Sequence, residues 1–157
     1  MVSTWLNSLV SGTVPPPTAG YFAGGWESAR VTTVDKFAFS DDSRTTLGTG
    51  LSTANYNLAG AANSGTAGYF AGGSTAAAGA VATVDKFAFS DDSRTTLGTG
   101  LSAALMQLAG AANSGTAGYF AGGFPGPVAT VDKFAFSDDS RTTLGTGLSA
   151  SRYVLAG

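Results

Sequence analysis

Three pairs of adjacent carboxylates, Asp41–Asp42, Asp91–Asp92 and Asp138–Asp139, are the first candidates for chemistry in this chain of 157 residues. Each pair lies in the same string, SDDSR, with Arg44, Arg94 or Arg141 two places on. Such oxygens suit Ca²⁺, but that ion wants about six to eight ligands, and neighbouring carboxylates on a turn point apart. Asp and Ser side chains bond their own nearby backbone, so SDDS reads as a turn. Gly48-Thr49-Gly50 has neither the following helix nor the Lys of a phosphate loop. His and Cys are both absent. That removes imidazole bases, thiol nucleophiles, Ser-His-Asp triads, disulfides and zinc sites built on Cys or His. Asp35, Lys36, Asp41, Asp42, Arg44 and their counterparts make 15 of the 18 charged residues. A catalytic centre needs unlike groups with opposed roles in one place, and these are like groups repeated at intervals. The expectation is a protein that is not an enzyme and uses no cofactor and no metal.

Composition points the same way. Hydrophobic residues make 43% of the chain and charged ones 11%, with 23 glycines, which is too apolar for a disordered tail. A net charge of −2 and a pI near 4.7 give no electrostatic footprint for nucleic acid or an anionic membrane. No apolar run approaches the roughly 20 residues of a membrane helix. Neither nucleic acid nor membrane insertion is expected.

The elements that must position these residues are set by repetition. TAGYFAGG begins at Thr18, Thr66 and Thr116, and TVDKFAFSDDSRTTLGTGLS begins at Thr33, Thr83 and Thr130. Each unit divides into four strand-like pieces separated by turn chemistry: NLAGAAN, TAGYFAGG, TVDKFAFS and RTTLGTGLS. Paired glycines and β-branched or aromatic residues disfavour helix. Alternation puts Asp85, Phe87 and Phe89 on one face and Val84, Lys86 and Ala88 on the other, so a sheet can nest against copies of itself.

A four-stranded unit of this length in tandem resembles the kelch type of β-propeller blade. The double glycine that ends the second kelch strand is matched by Tyr69-Phe70-Ala71-Gly72-Gly73, and the aromatic third strand with its polar turn by Phe87, Phe89 and Asp91-Asp92. Ser151-Arg152-Tyr153 echoes the stretch before the first strand, while Leu47, Leu97 and Leu144 stand where the family has Trp. The phrasing GYFAGG…VDKFAFS also looks like tandem kelch-like repeats in structural proteins of tailed phages and cyanobacteria. SDDSRTTL is similar to the Asp-box of sialidase-type propellers, with Arg44 and Leu47 in place of its Gly and Trp. An Asp-box is a structural turn, so it implies no glycosidase activity.

The resemblance implies an all-β propeller with three blades per chain, approximately residues 18–57, 58–107 and 108–157, preceded by an arm and Pro-rich linker at 1–17. Trp5, Leu6 and Leu9 are expected either to attach the chain to a larger assembly or to belong to a loose terminus. Three blades fall below the four to eight or so that close a propeller. A second chain is expected to complete six, with Val154 and Leu155 in a closing strand, Tyr153–Gly157, shared between chains. A nine-bladed ring of three chains and an open stack are the alternatives. All variation between units falls in the loops before the third strand and in five residues before the first. In a four-stranded meander these regions share one end, where Trp26, Arg30, Tyr56, Met106, Phe124, Arg152 and Tyr153 supply groups typical of binding hot spots. Either these loops recognise something, or they have drifted unconstrained; Tyr56, Met106 and Tyr153 could instead fill core or channel. The resemblance implies a structural and adhesive virion or extracellular protein. Its expected partners are itself, other virion proteins and a host surface glycan or protein. A cellular kelch-like scaffold and a designed or reconstructed repeat protein are the alternatives.

Overall fold

The structure, a computed structural model, describes residues 18–157, so the arm with Trp5, Leu6 and Leu9 lies outside the described residues. What is described is all-β, with no helix among these residues. The first unit contributes β1 (Ala19–Ala23), β2 (Val34–Ala38) and β3 (Arg44–Thr46). The second contributes β4 (Ala59–Asn63), β5 (Ala67–Ala71), β6 (Ser74–Thr75), β7 (Gly79–Ala80), β8 (Val84–Ala88) and β9 (Arg94–Thr96). The third contributes β10 (Ala109–Asn113), β11 (Ala117–Ala121), β12 (Val131–Ala135) and β13 (Arg141–Thr143). Two antiparallel four-stranded sheets result, β4-β5-β8-β9 and β10-β11-β12-β13, beside a three-stranded sheet β1-β2-β3 and a two-stranded ribbon β6-β7.

Local sequence explains each sheet. The second and third strands pair with Tyr69 opposite Lys86 and Phe70 opposite Asp85. Asn63-Ser64-Gly65-Thr66 closes the first hairpin, the Asn63 carbonyl accepting from the Thr66 amide at 2.9 Å. In the SDDS turn the Asp91 carboxylate accepts the Ser93 amide at 3.0 Å, and Asp92 takes a left-handed φ of 57° that its short polar side chain tolerates. The fourth strand is shorter than RTTLGTGLS suggests, only Arg94–Thr96. Its pairing with the third strand resumes at Leu97 N to Val84 O and, past the Gly98-Thr99-Gly100 excursion, at Leu101 N to Ala82 O.

The sheets stack through unlike faces, as the alternation predicts. Phe87 of the second unit is fully buried with Val34 and Leu51 of the first, and Phe89 stacks on Tyr21 with centroids 4.6 Å apart. On its other side the second unit buries Tyr69 and Val84 against Phe134 and Phe136 of the third. Side chains separate the sheets at their third strands, whereas at their first strands only glycine intervenes: a Cβ on Gly110 would collide with the Gly60 carbonyl. The sheets therefore come closest along β4 and β10.

The C-terminal residues follow the same plan without forming a strand. Val154 N donates to Gln107 O, as Gln107 N does to Asn57 O, both at 2.8 Å. Leu155 lies against Gly122, and a Cβ on Gly157 would meet Gly110 O at 2.5 Å. Leu155-Ala156-Gly157 thus begins a fourth layer over β10. The expected closing strand at Tyr153–Gly157 is not formed, and no described strand pairs with these residues.

This close approach generates a contrast between two glycines. Gly110→Ala should lower the unfolding free energy by about 2–4 kcal/mol, because backbone must move to admit the methyl group. Gly98 faces open space, so Gly98→Ala should be neutral or stabilise by about 0.5 kcal/mol. Urea midpoints of the two variants measure this difference.

Candidate functional site

Two sets of residues stand out, one at the varied loops and one at the seams between sheets. At the loops, the connection before each first strand is held by the double-glycine corners on either side of it. Gly72 and Gly73 turn the chain at φ of 68° and 96°, and Gly73 N donates to Leu105 O at 2.8 Å. Isolated bridges then join Val31 to Asn55, Tyr56 to Ser74, Val81 to Leu105, Met106 to Phe124 and Val128 to Arg152. Loops after the second strand and linkers before the first are thereby woven into one rim.

Six of the seven loop residues singled out in the sequence fall into two aromatic groups on this rim. In the first, the Arg30 guanidinium carbon lies 5.5 Å from the Trp26 ring centre and 4.9 Å from that of Tyr56, while Nε donates to Ser74 O at 3.1 Å. Trp26 remains 58% exposed. In the second, Phe124 packs against Tyr153 with centroids 5.6 Å apart, and Met106 is bridged to Phe124 through backbone. Arg152 is exposed and joins the rim through its backbone, its carbonyl accepting from Gly123 N at 3.0 Å. Tyr56 and Met106 are half-buried, whereas Tyr153 is exposed. Of the closing-strand residues, Val154 is 69% exposed at a left-handed φ of 56°, and Leu155 is half-buried.

At the seams, the two Asp residues of each turn divide their work. The first binds its own turn: the Ser93 hydroxyl and amide hold the Asp91 carboxyl below the usual range, and the equivalent serines do the same for Asp41 and Asp138. The second crosses to the preceding sheet. Asp92 accepts from the Tyr21 hydroxyl and from Lys36 Nζ at 3.0 Å. Asp139 accepts from the Tyr69 hydroxyl at 2.6 Å and from Lys86 Nζ at 2.8 Å. The Asp91–Asp92 and Asp138–Asp139 pairs thus diverge rather than forming one ligand set.

Each seam has a second polar tie. The buried Asp85 carboxylate accepts from Ser52 N at 2.7 Å and Ser52 Oγ at 2.8 Å, and Ser102 holds Asp132 at the same distances. The remaining Asp oxygen accepts from Thr96 or Thr143 at 2.6 Å, so these nearly inaccessible charges are satisfied. Reading SDDS only as a turn misses the cross-sheet role of its second Asp. The signal available was that Tyr and Lys, on facing strands, recur in every unit beside a second acidic residue that the turn itself does not need.

A groove of about 430 Å³ runs along the edge of β1 that pairs with no described strand. Gly20, Phe39, Gly60, Ala61 and Phe89 line it, where the second and third units carry their first strands. No protein-family model and no curated protein matches the chain.

The seams set an alkaline limit on stability. Burial, with the neighbouring carboxylate, raises the Tyr21 and Tyr69 hydroxyls above their ordinary value near 10, and the bond to Asp92 raises Lys36. In the unfolded chain tyrosine ionises near pH 10 and lysine loses its proton near 10.4. The seam contribution is therefore complete below pH 10 and is lost as pH rises toward the folded-state values. The melting temperature should hold level up to about pH 9.5 and then fall. Tyr69→Phe should lower it at neutral pH but make the alkaline fall shallower, measured by circular dichroism across the pH series.

Proposed function

We propose that the chain is a non-enzymatic structural and adhesive module, a kelch-like β-propeller of a phage virion appendage or an extracellular counterpart. Its varied rim would recognise a host surface glycan or protein. The observation that carries this reading is the concentration of Trp26, Arg30, Tyr56, Met106, Phe124 and Tyr153 on one rim of a scaffold whose other parts are the same in every unit. Exposed aromatic rings offer flat apolar faces to sugar C–H groups or to protein side chains, and guanidinium groups supply directed donors.

The propeller reading is supported by the taper of the units. Glycine and alanine line the first strands while Phe, Tyr and Lys fill the seams further out, so each layer is a wedge. Wedges repeated in one sense turn about an axis beside the first strands. In this reading a second chain supplies three further units to the circle. Dimerisation is the favoured assembly, with residues 1–17 tethering the disc to other virion proteins.

Two measurements test this reading. Single-particle images of the purified chain should show discs with an axial channel, and open rows would overturn the propeller. Binding to an array of bacterial surface glycans and host envelope proteins should fall at least tenfold in Trp26→Ala and Arg152→Ala. Arg44→Ala, placed in the repeated turn, should bind as the native chain does. Loss of binding in Arg44→Ala alone would move recognition to the opposite end.

A further inference from the structure

The outward faces of the first and third sheets are the two halves of the seam that recurs between the sheets. Tyr119 and Lys133 occupy the positions of Tyr69 and Lys86, yet no Asp reaches them among the described residues. Asp42 occupies the position of Asp92 and Asp139, and it is exposed with no side-chain partner described. The covering residues tell the same story. Phe39 is 58% exposed while its counterpart Phe136 is 9% exposed. The Asp35 side chain is 28% exposed, against 5% for Asp85 and 1% for Asp132. Ser149, the counterpart of Ser52 and Ser102, has no carboxylate to cap among the described residues.

We propose that these faces bind each other in two copies of this chain, head to tail. Asp42 of one copy would accept from the Tyr119 hydroxyl and Lys133 ammonium of the other, Phe39 would stack on Tyr119, and Asp35 would take Ser149. The same approach covers the edge of β1 that pairs with no described strand. In the second unit Ala59 pairs with Ala71 and Gly60 with Phe70, so Ala156 and Gly157 of one copy fall opposite Ala23 and Phe22 of the other. A cation with a phenol on one face and a carboxylate with a ring on the other are complementary in charge and in shape. A unit carrying this string offers both, and a second copy is the occupant that supplies one. Each junction joins unlike patches, and a half-turn about one axis makes the two junctions of a pair equivalent, so the pair as a whole is isologous and closed. It deepens the self-assembly in the proposed function by naming the residues that join the chains.

Charge exchange tests it, with native mass spectrometry and sedimentation on the full chain. The native chain should form particles with an even number of copies. Lys133→Asp and Asp42→Lys should each raise the dissociation constant at least tenfold, because both junctions of a pair then oppose like charges. An equimolar mixture of the two variants should regain native-size particles holding one of each. In that pair one junction is native and the other has its charges reversed. The double variant should self-associate and reject the native chain, and recovery on mixing also shows that the single variants fold. Association unaffected by either substitution would overturn this seam while leaving the disc reading intact. Long open polymers sensitive to the exchange would keep the seam and overturn the closed disc. A native chain that stays monomeric at high micromolar concentration would overturn both.

Discussion

The sheets of the three units have two unlike faces, and at each internal seam one face is covered by the opposite face of its neighbour. The Asp face carries Phe87, Phe89 and the buried Asp85, and the Lys face carries Tyr69, Val84 and Lys86. Burial of the rings and of valine, at about 25 cal/mol per Å² of apolar surface, is the larger attraction. The polar ties act on register more than on total stability. Lys86 and Asp139 keep 25% and 27% of their side chains exposed, so solvent screens much of their attraction. Asp85 is different, because without Ser52 one oxygen of a buried carboxylate would lose both its donors, leaving only Thr96 and the Arg94 guanidinium at the other. A sheet shifted by one residue would lose Ser52, Thr96 and the ring stacking together.

Glycine then decides how closely the layers approach. Gly60 and Gly110 let β4 and β10 meet backbone to backbone, while the Tyr–Phe stacks hold the layers further apart toward the third strands. The same substitution therefore has opposite meaning at different positions: a methyl group at Gly98 meets nothing, and at Gly110 it meets a carbonyl. Close approach and cohesion are written into separate columns of the repeat.

Much of this was legible from letters alone. The strand order, the turns at Asn63 and Ser90–Ser93 and the two-faced third strand all follow from periodicity and turn chemistry. Gathering of Trp26, Arg30, Tyr56, Met106, Phe124 and Tyr153 at one end followed from meander geometry, which makes alternate connections neighbours. What was hidden depends on distances between units rather than within them. Nothing in SDDS distinguishes the Asp that closes its turn from the one that reaches Lys86 or Lys36, since the difference lies in the left-handed φ of Asp92 and Asp139. The early end of the fourth strand was hidden for a similar reason: RTTLGTGLS reads as one extended piece until Gly98 and Gly100 bend it away.

Because the Tyr–Lys–Asp and Ser–Asp ties of each seam come from the repeated strings, the units are interchangeable at those ties. Long identical stretches also favour unequal recombination, by which a gene gains or loses whole repeats. Such an event here would leave the internal seams native and would still present Tyr and Lys at one end and Asp at the other. Repeat number can therefore change by inheritance without any surface being redesigned, and each added copy brings a fresh rim segment free to diversify.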